Sequence, residues 1–314
     1  MTSSNQAIFP WPSSVRPAIL GTDWWTDCDD VMAVRLLCNL QKLGVFHIIG
    51  LVLDACMPYS VRSLDGFLLD NGVDVPVGID HDGTDFDGVP KYYQHYLAAH
   101  LRSKYAGNEA AEDGVRLYRR LLAESPQKVT LMEIGFPQVL ANLLQSPPDD
   151  LSPLDGASLV AAKAEHLWIM AGQWDVQNGM EHNFINNPRS RRGGAYLCAH
   201  WPTPVTFLGF EVGYTVFSGG KQVLLPGDPL LGAMTEHLSE DGRESWDPML
   251  VLLAGLNDPA LAGYRTVTGF ASCDADTGAN SFRENPAGPH RYVVKLHEDD
   301  YYTQAVNSLL PKLP

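Results

Sequence analysis

Apolar residues in this chain follow two rhythms that take turns. Mainly apolar runs of strand length lie at 18–20, 45–53, 73–79, 129–134, 166–170 and 205–208, short enough to be buried strands. Stretches of helical period separate them. The first begins at about Val31, with Val31, Val34, Leu37 and Cys38 on one stripe, and Gly44 is placed to close it. Others span 60–69, stopped by Asn71-Gly72, then 91–105, 114–124 and 135–144. Pro188 opens one more at its first turn, where proline is favoured. Beyond it, 228–238 and a segment starting at Asp247-Pro248 read as helices, 265–294 as short strands and 299–309 as a last helix. Strands alternating with helices predict an α/β fold, a Rossmann-like open sheet, mainly parallel but mixed, with helices on both faces. No repeat, low-complexity tract or linker divides residues 1–314, which read as a single domain. Residues 1–16 form an irregular lead-in where Pro10 and Pro12 oppose pairing.

Composition narrows the partners. With 45% hydrophobic and 19% charged residues, 314 positions suffice for a large core. A net charge of −15 argues against nucleic acid, because phosphate binding needs clustered cations. The basic knots, Arg119-Arg120 and 189–192, read as solvated helix faces. Five scattered cysteines without a CxxC pair indicate free thiols in a reducing compartment. The start, MTSSNQAIFPWPSS, lacks the basic-then-apolar order of a signal peptide, and no apolar run is long enough to span a bilayer. A cytoplasmic protein with a small-molecule ligand is expected, with neither membrane nor nucleic acid as partner.

The chemistry concentrates after the first strand. Residues 17–35 read PAILGTDWWTDCDDVMAVR, with carboxylates at Asp23, Asp27, Asp29 and Asp30. A helix N-terminus favours one or two acids, but four so close repel one another. A hard divalent cation with oxygen ligands relieves that repulsion; helix capping plus solvation is the simpler alternative. Three more polar loops stand at strand or helix ends: Glu133-Ile134-Gly135, residues 175–187, and Asp247 at the start of an apolar helix, where an aspartate alone reads as an N-cap.

Together these loops resemble the inosine-uridine nucleoside hydrolase family. Gly21-Thr22-Asp23-Trp24-Trp25-Thr26-Asp27-Cys28-Asp29-Asp30 matches the longer form of its aspartate-rich loop with two changes. VTLMEIGFPQVLANLL, IMAG followed by EHNF, and SWDPMLVLLA match later motifs, in family order, from about residue 17 to 256. The resemblance implies the nucleoside hydrolase fold, a homodimer or homotetramer, and Ca2+ held by Asp23, Asp30, the carbonyl of Ile134 and Asp247. It implies ribose contacts from Asp29, Asp54, Glu181 and Asn183, with Asp23 as the base that deprotonates the attacking water. Asp27 belongs to the longer loop and would orient its neighbours.

The residue types suit cleavage of an N-ribosidic bond, whose oxocarbenium-like transition state carries positive charge that carboxylates stabilise. The chain departs from the family pattern where leaving-group chemistry would lie. Trp246 precedes Asp247 where many members have histidine, Trp25 replaces a glycine with Trp24 beside it, and Gly21 replaces the first aspartate. Trp25 and Trp246 become candidate base contacts, and His182, His166 and His237 candidate acids. The expected activity is a Ca2+-dependent N-ribohydrolase acting on nucleoside-like substrates. The alternative is a non-catalytic ribose- or nucleoside-binding paralogue. A Mg2+ phosphohydrolase ranks lower, because the four loops hold no Lys or Arg for a phosphate.

Overall fold

The computed structural model describes residues 9–89 and 91–314, so residues 1–8 of the expected lead-in lie outside the described residues. Residues 9–15 carry no regular element. The chain then enters β1 (Arg16–Thr22), every residue of which is buried. Helix α1 (Asp29–Lys42) leads to β2 (Phe46–Leu53), α2 (Ser60–Asp70), β3 (Val77–Ile79), α3 (Tyr93–His100), β4 (Glu112–Asp113) and α4 (Gly114–Glu124). After α4 the chain crosses back to the other side of β1. It continues through β5 (Val129–Glu133), α5 (Gln138–Gln145), α6 (Gly156–Lys163), β6 (Ala164–Met170), α7 (His182–Ile185), α8 (Pro188–His200) and β7 (Val205–Leu208). The last third holds α9 (Phe210–Gly213), β8 (Phe217–Ser218), α10 (Pro229–Glu236), β9 (Arg243–Glu244), α11 (Trp246–Leu256), β10 (Tyr264–Cys273), β11 (Asn280–Glu284), β12 (His290–Lys295) and α12 (Asp299–Leu309).

One ten-stranded sheet results, in the order β11-β10-β12-β7-β6-β5-β1-β2-β3-β4. From β4 to β12 every neighbouring pair is parallel, and β10 joins β12 and β11 antiparallel at one edge. This is the mixed, mainly parallel α/β sheet the alternation predicts. Successive side chains of β1 point to opposite faces: Ala18 and Leu20 enter the core beneath α1 and α11, Ile19 the core beneath α4, α5 and α8. Because both faces are covered, the strands read as continuous apolar runs.

Several boundaries differ from the periodicity. Residues 73–76 are outside β3, since Pro76 has no N–H for the ladder. Helix α3 stops at His100, because Ser103 and the Lys104 amide turn the chain onto the buried Asp65 (2.6 and 2.8 Å). Helix α6, capped by Asp155, was not expected. Arg119 is a correction: rather than a solvated face, it is 2% exposed and forks onto Asp149 at 2.8 Å on both oxygens. All five cysteines are unpaired. No helix among the described residues is long and apolar enough to cross a membrane.

Candidate active site

The switch in winding direction places the site. From β1 the chain runs to β2 on one side, and it later returns to β5 on the other. Connections leaving neighbouring strands toward opposite sides open a crevice at their carboxyl ends. The acidic loop after β1 and Ile134-Gly135 after β5 border that crevice. Gly135 is required there, since a β-carbon would collide with the Asp23 amide and lie 2.6 Å from Asp54.

The acidic loop is folded by its own side chains. Asp23 Oδ1 accepts from the Trp25 amide at 2.9 Å, and Asp30 Oδ1 accepts from the Thr22 hydroxyl and from the Trp24 amide at 3.3 Å. Trp24 and Thr26 sit in the left-handed region (φ 49° and 60°), a strained conformation for non-glycine residues that concentrates at functional sites. Trp24 is fully buried against Phe67 and Tyr93, donates to Ser63 at 2.8 Å, and its carbonyl accepts from Gln94 at 2.6 Å. It anchors the loop, and Trp25 is left to line the cavity.

That cavity, about 270 Å³, is lined by residues of all four polar loops. On it, Asp29 and Asp30 of the α1 first turn meet Asp247 of the α11 first turn, their ligand oxygens within 4.8 Å of one another. Asp247 lies inside α11, two residues past the cap residue Ser245 rather than at the cap position expected of it, and its amide donates to Asp29 at 3.2 Å. Burial first, and then the neighbouring carboxylates, push Asp29, Asp30 and Asp247 well above the ordinary carboxylate range. Asp23 lines the same cavity and is raised in the same way, by burial and by Asp29, Asp27 and Glu133. Three hard oxygen donors that resist ionising together fit a divalent cation. Asp29, expected at the ribose, joins this group, whereas Asp23 stands beside it.

The remaining expected residues divide. Ile134, Glu181 and Asn183 line the cavity. Glu181 accepts from the amides of Gly172 (2.8 Å) and Asn183 (2.7 Å), and burial raises its carboxyl to about 7. The Asn183 amide donates to the carbonyls of Met170 at 2.9 Å and Ile134 at 3.3 Å. Asp54 is not on the cavity wall: it is fully buried, its carboxyl set against that of Glu133 and against Gly135. Glu133 fills the space beside Gly21, its register partner on β1, so that any β-carbon at 21 would fall within its carboxylate. The acid absent at 21 is thus supplied from β5, buried and raised to about 7.

Trp25 and Trp246 line the cavity with Phe210 and Met170, and the Phe210 and Trp246 rings stack at 5.6 Å. Of the neighbouring pair Trp24 and Trp25, Trp25 alone stands on this wall. Of the three histidines, His182 lines it, while His166 bonds Thr206 at 2.9 Å and stacks on Trp168, and His237 bonds Ser239 and the Thr26 carbonyl. The sequence reading missed Arg243. It comes from β9, outside the four loops, and forks onto Asp27 through Nε (2.7 Å) and Nη2. Burial works to raise Asp27, but the hydrogen bonds and charge of Arg243 outweigh it and hold the carboxyl low. Asp27 is therefore an ion-pair partner of Arg243. The only hint in the sequence was the position of Arg243, three residues before Trp246.

No family model and no curated protein matches the chain by sequence. Comparison of structures does find likenesses. A plant nucleoside hydrolase superposes with a TM-score of 0.71 at 15% identity, over 95% of this chain and 99% of that one. An inosine-uridine preferring nucleoside hydrolase from Bacillus anthracis gives 0.65 at 14%, over 94% and 100%. The type III effector protein XopQ, complexed with adenosine diphosphate ribose, gives 0.65 at 18%, over 96% and 93%. Likeness at such identities, spanning nearly the full length of each chain, is a statement about architecture: this protein has the nucleoside hydrolase fold.

Proposed function

We propose that this protein is a metal-dependent N-ribohydrolase acting on a nucleoside or a related ribosyl compound. The observation that carries the reading is the meeting of the neighbours Asp29 and Asp30 with the distant Asp247 on a cavity also lined by aromatic rings. The solved nucleoside hydrolases that share the fold support the same reaction class. Calcium suits the donors better than a transition metal, because all are hard carboxylate oxygens. Asp29, Asp30 and Asp247 would hold the ion, with Asp23 and the Ile134 carbonyl at the border of the site. When bound, it supplies a lowered pKa for the attacking water.

The chain's own groups do the rest. Asp23 has one oxygen fixed by the Trp25 amide, which leaves the other to take the proton of the water that adds to C1′. Asn183 and Glu181 are fixed through backbone bonds on the opposite wall and would orient the ribose hydroxyls. The crowded carboxylates stabilise the cationic sugar of the transition state more than the neutral substrate, which is the differential binding that accelerates the reaction. Trp25, Phe210 and Trp246 offer flat faces for the base.

The test is a panel of purine and pyrimidine nucleosides, and adenosine diphosphate ribose, assayed for reducing sugar with Ca2+ and with a chelator. Metal-dependent ribose release from at least one compound is expected. A second reading, a ribosyl-binding protein without turnover, is favoured by Trp246 at the position before Asp247. Saturable binding of the panel with no ribose release would establish it instead.

A further inference from the structure

Resting on the ribohydrolase reading, we infer that Arg243 is the leaving-group residue: its guanidinium stabilises the base as it departs with the electron pair of the C1′–N bond. Heterolysis leaves negative charge on a ring nitrogen of the base, and something in the cavity must meet it. Histidine brings no positive charge to it. Among the described residues His182 is the one histidine on the cavity wall, and its Nε2 faces the Asn186 amide at 3.1 Å. That amide is oriented by Asp87, whose N–H donates to Asn186 Oδ1 at 2.9 Å and whose carbonyl accepts from Asn186 Nδ2 at 2.8 Å. Asn186 therefore donates to His182 Nε2, which fixes the ring as the neutral tautomer with its proton on Nδ1. Burial also lowers the His182 pKa, which favours the neutral ring.

Arg243 has the opposite character. It lines the cavity with Trp246, Phe210 and Trp25, and its guanidinium lies over the Trp246 ring at 5.6 Å from the centroid. Asp27 clamps Nε and Nη2, and Glu244 accepts from Nη1. A guanidinium has five N–H donors, so one on Nη1 and one on Nη2 remain beyond these three bonds. Fixed from two sides, the group pays little reorganisation when charge develops beside it. Among the described residues it is also the one cation on a wall otherwise bearing the carboxylates of Asp23, Asp27, Asp29, Asp30, Asp247 and Glu181. Those acids suit the cationic sugar and oppose an anionic base; Arg243 separates the two.

The step balances without an acid. The C1′–N bond breaks with its electron pair going to the base, water oxygen bonds C1′, and Asp23 takes the water proton. Arg243 keeps all its protons, and the base anion is protonated by solvent after release.

The experiment compares a poor leaving group, inosine or uridine, with a good one, p-nitrophenyl β-D-riboside, in wild type, Arg243→Gln and the double variant Asp27→Asn/Arg243→Gln. The double variant removes both partners, so that no buried charge is orphaned. Loss of kcat/KM by about 100-fold or more on the nucleoside, with less than about fivefold on the p-nitrophenyl riboside, is expected for both variants. Equal losses on the two substrates, or no loss on either, in an active wild-type protein would overturn the role of Arg243 alone. A wild type inactive on both substrates overturns the ribohydrolase reading beneath it.

Discussion

Asp247 carries the greatest functional weight of any single side chain, because it is the member of the carboxylate cluster that α11 supplies. Asp247→Asn keeps the shape and removes the charge. Binding of Ca2+ measured by calorimetry should be lost, and turnover should fall about a thousandfold, which corresponds to several kcal/mol of charge stabilisation. Retained binding would remove Asp247 from the ion's ligands. Gly21 and Glu133 make a second, structural pair. Gly21→Ala forces a methyl group into the Glu133 carboxylate and should cost about 1–3 kcal/mol, as overpacking does. In the Glu133→Ala background the same change should cost much less, and a denaturant double-mutant cycle measures the difference. Additive costs would show that the two positions do not share that space. The motif at 21–30 could be read as an acidic loop, but the acid that occupies the vacated place is on β5, and only the register of β1 against β5 shows it.

Helices α1, α8 and α11 hold the site as rigid pieces, and α8 does so through its cap. Asn187 accepts from the amides of Arg189 (2.8 Å) and Ser190 (3.1 Å), and the Ser190 hydroxyl donates to the Asn183 carbonyl. Asn187→Ala should therefore cost about 1 kcal/mol of stability, a fall in Tm of about 2 °C for a chain of this size. It should also raise KM, since Asn183 loses the helix that fixes it. A lowered Tm with KM unchanged would mean the cap serves stability alone. Pro188 and the polar residue before it marked this helix start in the sequence. The start of α11 was less legible: Asp247-Pro248 looks like cap and first turn, yet Ser245 is the boundary residue and Asp247 turns inward. A local pattern cannot distinguish an aspartate that caps a helix from one that faces a cavity formed by another element.

The protein as a whole stores like charge beneath one sheet edge, and its stability should report that. Asp23, Asp29, Asp30 and Asp247 have folded-state pKa values raised above their unfolded ones, so the folded state binds more protons. The contribution of these four groups to ion-free stability is then greatest below the ordinary carboxylate pKa and falls as pH rises toward the raised values. Glu181 and Glu133, raised to about 7, extend the fall from about pH 4.5 to neutrality. A bound cation relieves this penalty, so the Tm difference between Ca2+ and chelator should be larger at pH 8 than at pH 5. A difference that is absent, or the same at both pH values, would contradict a metal centre built from these acids.

Periodicity and motif order were enough for the α/β alternation, the strand ends that carry chemistry, and the likeness to the nucleoside hydrolases, because buried parallel strands and capped helices write themselves in residues close along the chain. Tertiary structure decided three things: that Asp29 joins Asp30 and Asp247 while Asp54 is sealed away with Glu133, that Trp24 is core and Trp25 wall, and that Arg243 enters the cavity on Asp27. Each depends on groups distant in sequence competing for one small, poorly solvated volume, where burial and neighbouring charge, rather than spacing, determine which atoms meet.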